Sequence, residues 1–155
     1  MKSIKNKNMS NNKSSRKLSR KSPQKLKVKN NTTDYFVQKT MDYLATIKIF
    51  HWTTDSYSTH KATDSLHQKL QELMDTFVET SLGHFNNKKS LVGKINNIKV
   101  NKITTDKELH NYTLEYKEHL RNIRNSLSDV NESEIITVVD AILTELDILL
   151  YLISL

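Results

Sequence analysis

The run Phe50-His51-Trp52 is followed by His60, Asp64, Asp75 and Glu79. Imidazoles and carboxylates of this kind suit hard and borderline cations such as Fe²⁺. Counted at ~100° per residue from His60, Asp64 falls at ~40°, Asp75 at ~60°, Glu79 at ~100° and His67 at about −20°. They share one polar stripe. Ala62, Leu66, Leu70, Leu73 and Phe77 centre near ~240° by the same count, so the stripe lies opposite the core face. A metal site built on it has to be completed from outside the subunit. A di-iron centre inside a bundle needs inward carboxylates and Glu-x-x-His pairs. Further along the chain, Glu115 and His119 stand four apart and Asp140, Glu145 and Asp147 follow, without any such pair. The competing reading is plain: acids on an outer helix face are solvated, and a histidine at a helix end caps or packs.

Four segments must position these residues. Thr32, Thr33 and Asp34 offer N-caps for a first helix over about 34–52, with Phe36, Tyr43, Leu44 and Ile47 at helical spacing. A polar loop over 53–59 leads to a second helix over about 59–82, with Gly83 placed as its C-cap. Residues 85–104 form a long connector, with a short turn expected at Leu91–Ile95. Thr105 and Glu108 stand in capping-box register at the head of a third helix, whose stripe is Leu109, Tyr112, Tyr116, Leu120, Ile123 and Leu127. Asn131 and Glu134 repeat the register before a fourth helix that runs to the end. Loops in short, long, short order predict an all-α, ferritin-like four-helix bundle: two antiparallel hairpins joined by a crossover past the end of the bundle. The fourth segment, Ala141 to Leu155, is apolar on more than one face yet shorter than the ~20 residues of a membrane span. A subunit interface is expected to cover the surplus, and no membrane association is expected.

The 155 residues contain no Cys, two Gly and one Pro. Thiolate metal sites, disulfides, Gly-rich phosphate loops and turn-rich β folds are thereby excluded. Lys and Arg number 24 against 17 Asp and Glu, a net charge of +7. Residues 1–33 hold eleven of the bases, Lys2, Lys5, Lys7, Lys13, Arg16, Lys17, Arg20, Lys21, Lys25, Lys27 and Lys29, and no acid. Residues 34–155 therefore carry 24 − 11 = 13 bases against 17 acids, a net of −4. The chain divides into a disordered basic N-terminal tail, 1–33, and a helical domain, 34–155. The tail is poor in apolar residues and suited to nucleic acid, where each neutralised phosphate releases a counterion. Solubility or localisation is the other use of such a tail. No apolar run follows Met1, so an intracellular and not a secreted protein is expected, associated with a nucleoid or a virion.

The stretch Leu44-Ala45-Thr46-Ile47-Lys48-Ile49-Phe50-His51-Trp52 resembles the end of the first helix of the Dps-type mini-ferritins. The later spacing is similar too: a second His opening the next helix (His60), an acid four residues on (Asp64), then an Asp-x-x-x-Glu pair (Asp75, Glu79) and a Gly (Gly83). The motif covers roughly 40–83 and the helix order 34–155. The shorter His51–His60 loop and the absence of matching motifs after residue 83 depart from the family. Uncharacterised ferritin-like proteins of phages and large DNA viruses are similar as well. The resemblance implies a ferroxidase site for iron shared across a two-fold interface, with His51 and His60 from one subunit, Asp75 and Glu79 from its mate, and Asp64 as a further ligand or a partner that supports one. It also implies a homo-oligomer, from a dimer up to a hollow dodecamer, with DNA bound through the tail. The alternative is a non-enzymatic helical oligomer that packages nucleic acid or serves as a virion or nucleoid component, its metal site vestigial.

Overall fold

In the computed structural model of the chain the described residues are 23–85, 95 and 97–154, with side chains from Thr32 onward. Four helices, α1 (Pro23–Thr53), α2 (Tyr57–Phe85), α3 (Asp106–Ser126) and α4 (Ser133–Leu152), form an all-α bundle, and no strand occurs among the described residues. α1 packs on α2 and α3, and α4 packs on the same two. The cyclic order is therefore α1-α2-α4-α3, with α2 and α3 diagonal.

Helix directions follow from cross-helix pairs. Lys48 meets Asp64 and Phe36 meets Phe77, so α1 and α2 are antiparallel. Tyr43 meets Thr113 and Tyr35 meets His119, so α1 and α3 are antiparallel too. Arg124 meets Asp140, so α3 and α4 run oppositely. α3 thus begins at the same end as the α1–α2 hairpin, although α2 finishes at the other end. The crossover has to travel the length of the bundle, not past its end as the loop lengths suggested. Its described part lies on α1: Gln38 Nε2 donates to the Asn97 carbonyl at 2.9 Å, the Lys99 N–H to the Asp42 carboxylate at 2.8 Å, and the Asn101 N–H to the Thr46 hydroxyl at 3.1 Å. Two residues of extended chain span ~6.7 Å and four of helix span ~6 Å, so the two registers keep step.

The residues expected inside are inside. Phe36, Tyr43, Leu44, Ile47, Ala62, Leu66, Leu70, Phe77, Leu109, Tyr116, Leu120 and Ile123 are buried, with Leu73, Tyr112 and Leu127 packed at the edge. Tyr43 and Tyr116 bury their rings and satisfy their hydroxyls on Thr113 and Thr40. Burial holds both phenols far above their ordinary range, so they stay neutral. Lys117 is buried as well, and its ammonium pairs with Asp147 at the rim of α4.

Several boundaries differ from those read in the sequence. α1 begins at Pro23, so Thr32, Thr33 and Asp34 lie inside the helix and the 33/34 domain boundary falls within it. Proline suits a first helical position, and nothing between Gln24 and Asp34 breaks the helix. Lys25, Lys27 and Lys29 therefore stand on helical backbone, while Lys2 to Lys21 lie outside the described residues. α2 continues past Gly83, which is exposed within the helix and does not cap it. The Thr105–Glu108 capping box forms, whereas the one at Asn131 and Glu134 does not. α4 starts one residue after Glu132, whose buried carboxylate accepts the Ser128 N–H at 2.6 Å. Of the turn expected at Leu91–Ile95, residues 91–94 lie outside the described residues.

The α1–α3 seam is expected to respond to pH through His119. The Tyr35 hydroxyl lies 2.7 Å from His119 Nδ1, within hydrogen-bond distance. Burial first, and then the Lys39 charge, hold His119 below the ordinary histidine range, against the pull of Glu115 and Glu118. Its folded pKa is lower than its unfolded value of ~6.5, so the unfolded chain takes up the proton first as pH falls. Stability is expected to be full above about pH 7 and to decline as pH drops through ~6.5. Thermal melts at about pH 7.5 and 5.5 should show a smaller decline in His119→Asn than in the parent chain. Equal declines would remove His119 as the cause.

Candidate metal centre

The α1–α2 turn spans only Thr54–Ser56. The Ser56 hydroxyl accepts the Thr59 N–H at 3.2 Å and so caps α2, and the Thr54 N–H closes α1 on the Phe50 carbonyl at 2.9 Å. This tight turn sets His51, near the end of α1, against His60, in the first turns of α2.

The two histidines are tied reciprocally. His51 Nδ1 lies 3.0 Å from the His60 carbonyl oxygen, and His60 Nδ1 lies 2.9 Å from the His51 carbonyl oxygen. A carbonyl only accepts, so each Nδ1 carries a proton and Nε2 is the nitrogen left to act as a metal donor. The rings stack at 3.9 Å between centroids, 22° from parallel. Thr63 supports them: its hydroxyl lies 3.3 Å from His51 Nδ1 and donates to the Thr59 carbonyl at 2.8 Å. His51 is buried and His60 half-buried.

Asp64, one turn along α2, brings Oδ1 to 3.7 Å from His51 Nε2 and 3.4 Å from Lys48 Nζ. Partial burial pushes its carboxyl up, but the Lys48 hydrogen bond and the charges of Lys48, His51 and Lys61 outweigh it and hold the group below its ordinary range. His67, a turn further on, is held below the ordinary histidine range by burial first and by Lys48 second. Trp52 is 66% exposed, and the Lys48 ammonium sits 5.7 Å from its ring centroid.

The structure thus sets His51 against His60 and places Asp64 3.7 Å from His51. Asp75 and Glu79 are exposed further along α2, about 16 Å and more from Asp64 along the axis. Among the described residues of the single chain, no group of three His, Asp or Glu side chains could hold a metal ion. Lys48 and Thr63 were missed in the sequence. Lys48 stands three residues before His51 and so shares its side of α1, the signal that a count along that helix would have used.

The model of a family of unknown function, DUF5856, matches residues 51–153, from His51 to just past α4. No curated protein and no solved structure matches the chain.

Proposed function

The chain belongs to the DUF5856 family, whose function is unknown, and we propose from its site that it acts as a Dps-like protein. In this reading it binds Fe²⁺ at an interface between two copies, passes the electron of each ion to an oxidant such as dioxygen or hydrogen peroxide, and holds nucleic acid through its basic N-terminal segment. The observation that carries the iron reading is the reciprocal His51–His60 pair. Backbone carbonyls take both Nδ1 protons, which is how metal-ligating histidines are oriented with Nε2 as donor. His51, His60 and Asp64 would supply half of the donor set, and Asp75 and Glu79 of a second copy the rest.

The exposed side of the hairpin favours such a pairing. Ile49 is 44% exposed and Trp52 66% exposed on α1 beside the histidines, a surface better suited to a partner than to water. A two-fold axis near Gln71, midway between Asp64 and the Asp75/Glu79 pair, would set two α2 helices antiparallel and complete two equal sites. Asp75 and Glu79 stand one turn apart without a cation among the described residues, and a bound ion would relieve their repulsion.

One observation favours the non-enzymatic reading. Lys48 already provides a positive charge 3.4 Å from Asp64, where a metal would compete with it. The two are separated by titrating Fe²⁺ into the anaerobic protein, admitting air and following ferric absorbance. Asp75→Ala and Glu79→Ala are expected to keep the helical circular dichroism and to lose at least about 10–100-fold in oxidation rate, the loss that changes in outer-shell partners already produce. If the parent chain oxidises iron no faster than buffer, the structural reading replaces the enzymatic one.

A further inference from the structure

The body of the chain segregates charge within itself. Residues 86–104 carry Lys88, Lys89, Lys94, Lys99 and Lys102 and no acid. Without them, the remainder of 34–155 holds 13 − 5 = 8 bases against 17 acids, a net of −9 beside a crossover of +5. An Asn/Lys-rich, acid-free segment therefore occurs twice in the chain, and the second one lies inside the family-matched region 51–153 while all eleven bases of residues 1–33 lie outside it.

The described part of the crossover is laid out for contact. Its anchoring to α1 uses the Asn97 carbonyl and the N–H groups of Lys99 and Asn101. In extended chain these belong to one edge, so the N–H groups of Ile98, Val100 and Lys102 belong to the other. None of those three has a hydrogen-bond partner among the described residues. The Lys99 and Lys102 side chains are exposed and unpaired among the described residues. The acids next in the chain are engaged elsewhere: Asp106 accepts the Thr59 hydroxyl at 3.0 Å, and Glu108 closes the α3 capping box. Asp42, the acid beneath the crossover, is buried and holds the Lys99 N–H.

We propose that residues 97–102 are a second phosphate-binding element, so that nucleic acid lies along the crossover as well as on the N-terminal segment. The proposal rests on the nucleic-acid part of the reading above. Two ammonium groups neutralise phosphates and release counterions, and the free N–H groups donate to phosphate oxygens. This stretch of the crossover is already held against α1 by three hydrogen bonds, so less conformational entropy is lost on binding than by a free tail.

The test uses the full chain, a short DNA duplex and fluorescence anisotropy over a range of salt. Lys99→Gln/Lys102→Gln is expected to reduce the slope of log K against log salt by about 1.8, two phosphates at ~0.9 each. A second variant, with Lys13, Arg16, Lys17, Arg20 and Lys21 changed to Gln, should flatten the slope further while leaving residual binding that the crossover lysines account for. If the crossover variant keeps the parent slope and the N-terminal variant loses all binding, the proposal is wrong and the tail alone carries the nucleic acid. If the parent chain does not bind the duplex at low salt, the nucleic-acid reading itself falls and takes the proposal with it.

Discussion

Phe77→Ala is expected to lower the free energy of unfolding by about 3–5 kcal/mol. Phe77 is buried to 1% exposure and stacks on Phe36 at 3.7 Å between centroids, 26° from parallel. α2 packs against both α1 and α4, the two most extensive contacts of the bundle, so truncation here opens a void that the helices cannot close without shifting together. Phe77→Leu keeps most of the volume and is expected to cost less than about 1.5 kcal/mol. Urea denaturation followed by circular dichroism checks both. A Phe77→Ala loss below about 1 kcal/mol would mean that the core at this level collapses freely and that the stack is not a structural anchor.

Much of the bundle was legible because its signals are local. The stripe of α2, the apolar spacing of α1 and the Thr105–Glu108 box each depend on residues within a few turns of one another, and each formed as read. The boundaries that moved depend on something further away. Lys25, Lys27 and Lys29 mask the start of α1 because a charged, apolar-poor stretch reads as tail, although its residues do not oppose a helix. Gly83 reads as a stop, yet the helix carries on to Phe85, which packs against the core. Asn131 and Glu134 have the right spacing for a cap, but Glu132 between them turns inward to the Ser128 N–H, and the helix starts from there. The path of the crossover left no mark in its own residues, because Gln38, Asp42 and Thr46 on another element hold it.

The site was legible in part for the same reason. The polar stripe of α2 follows from counting residues, and Asp75 and Glu79 are exposed on it. The reciprocal His51–His60 bonds depend on a tight turn whose geometry spacing does not specify. Lys48 next to Asp64 is a cross-helix contact of the same kind. In the proposed function the rest of the donor set comes from a second copy, where neither sequence periodicity nor a single subunit reaches.

A mixed oligomer tests whether two copies share the proposed site. His60→Ala removes a donor from one half of the proposed site, and Asp75→Ala/Glu79→Ala removes the other half. Each variant alone is expected to oxidise Fe²⁺ at the rate of buffer. Co-expressed in equal amounts, the two variants form mixed dimers in which one of the two sites at the interface regains every donor. With random pairing, about a quarter of all sites are intact. The mixture is expected to recover about a quarter of the parent oxidation rate. Full helical content in each variant with no recovery in the mixture would contradict a site shared between two copies.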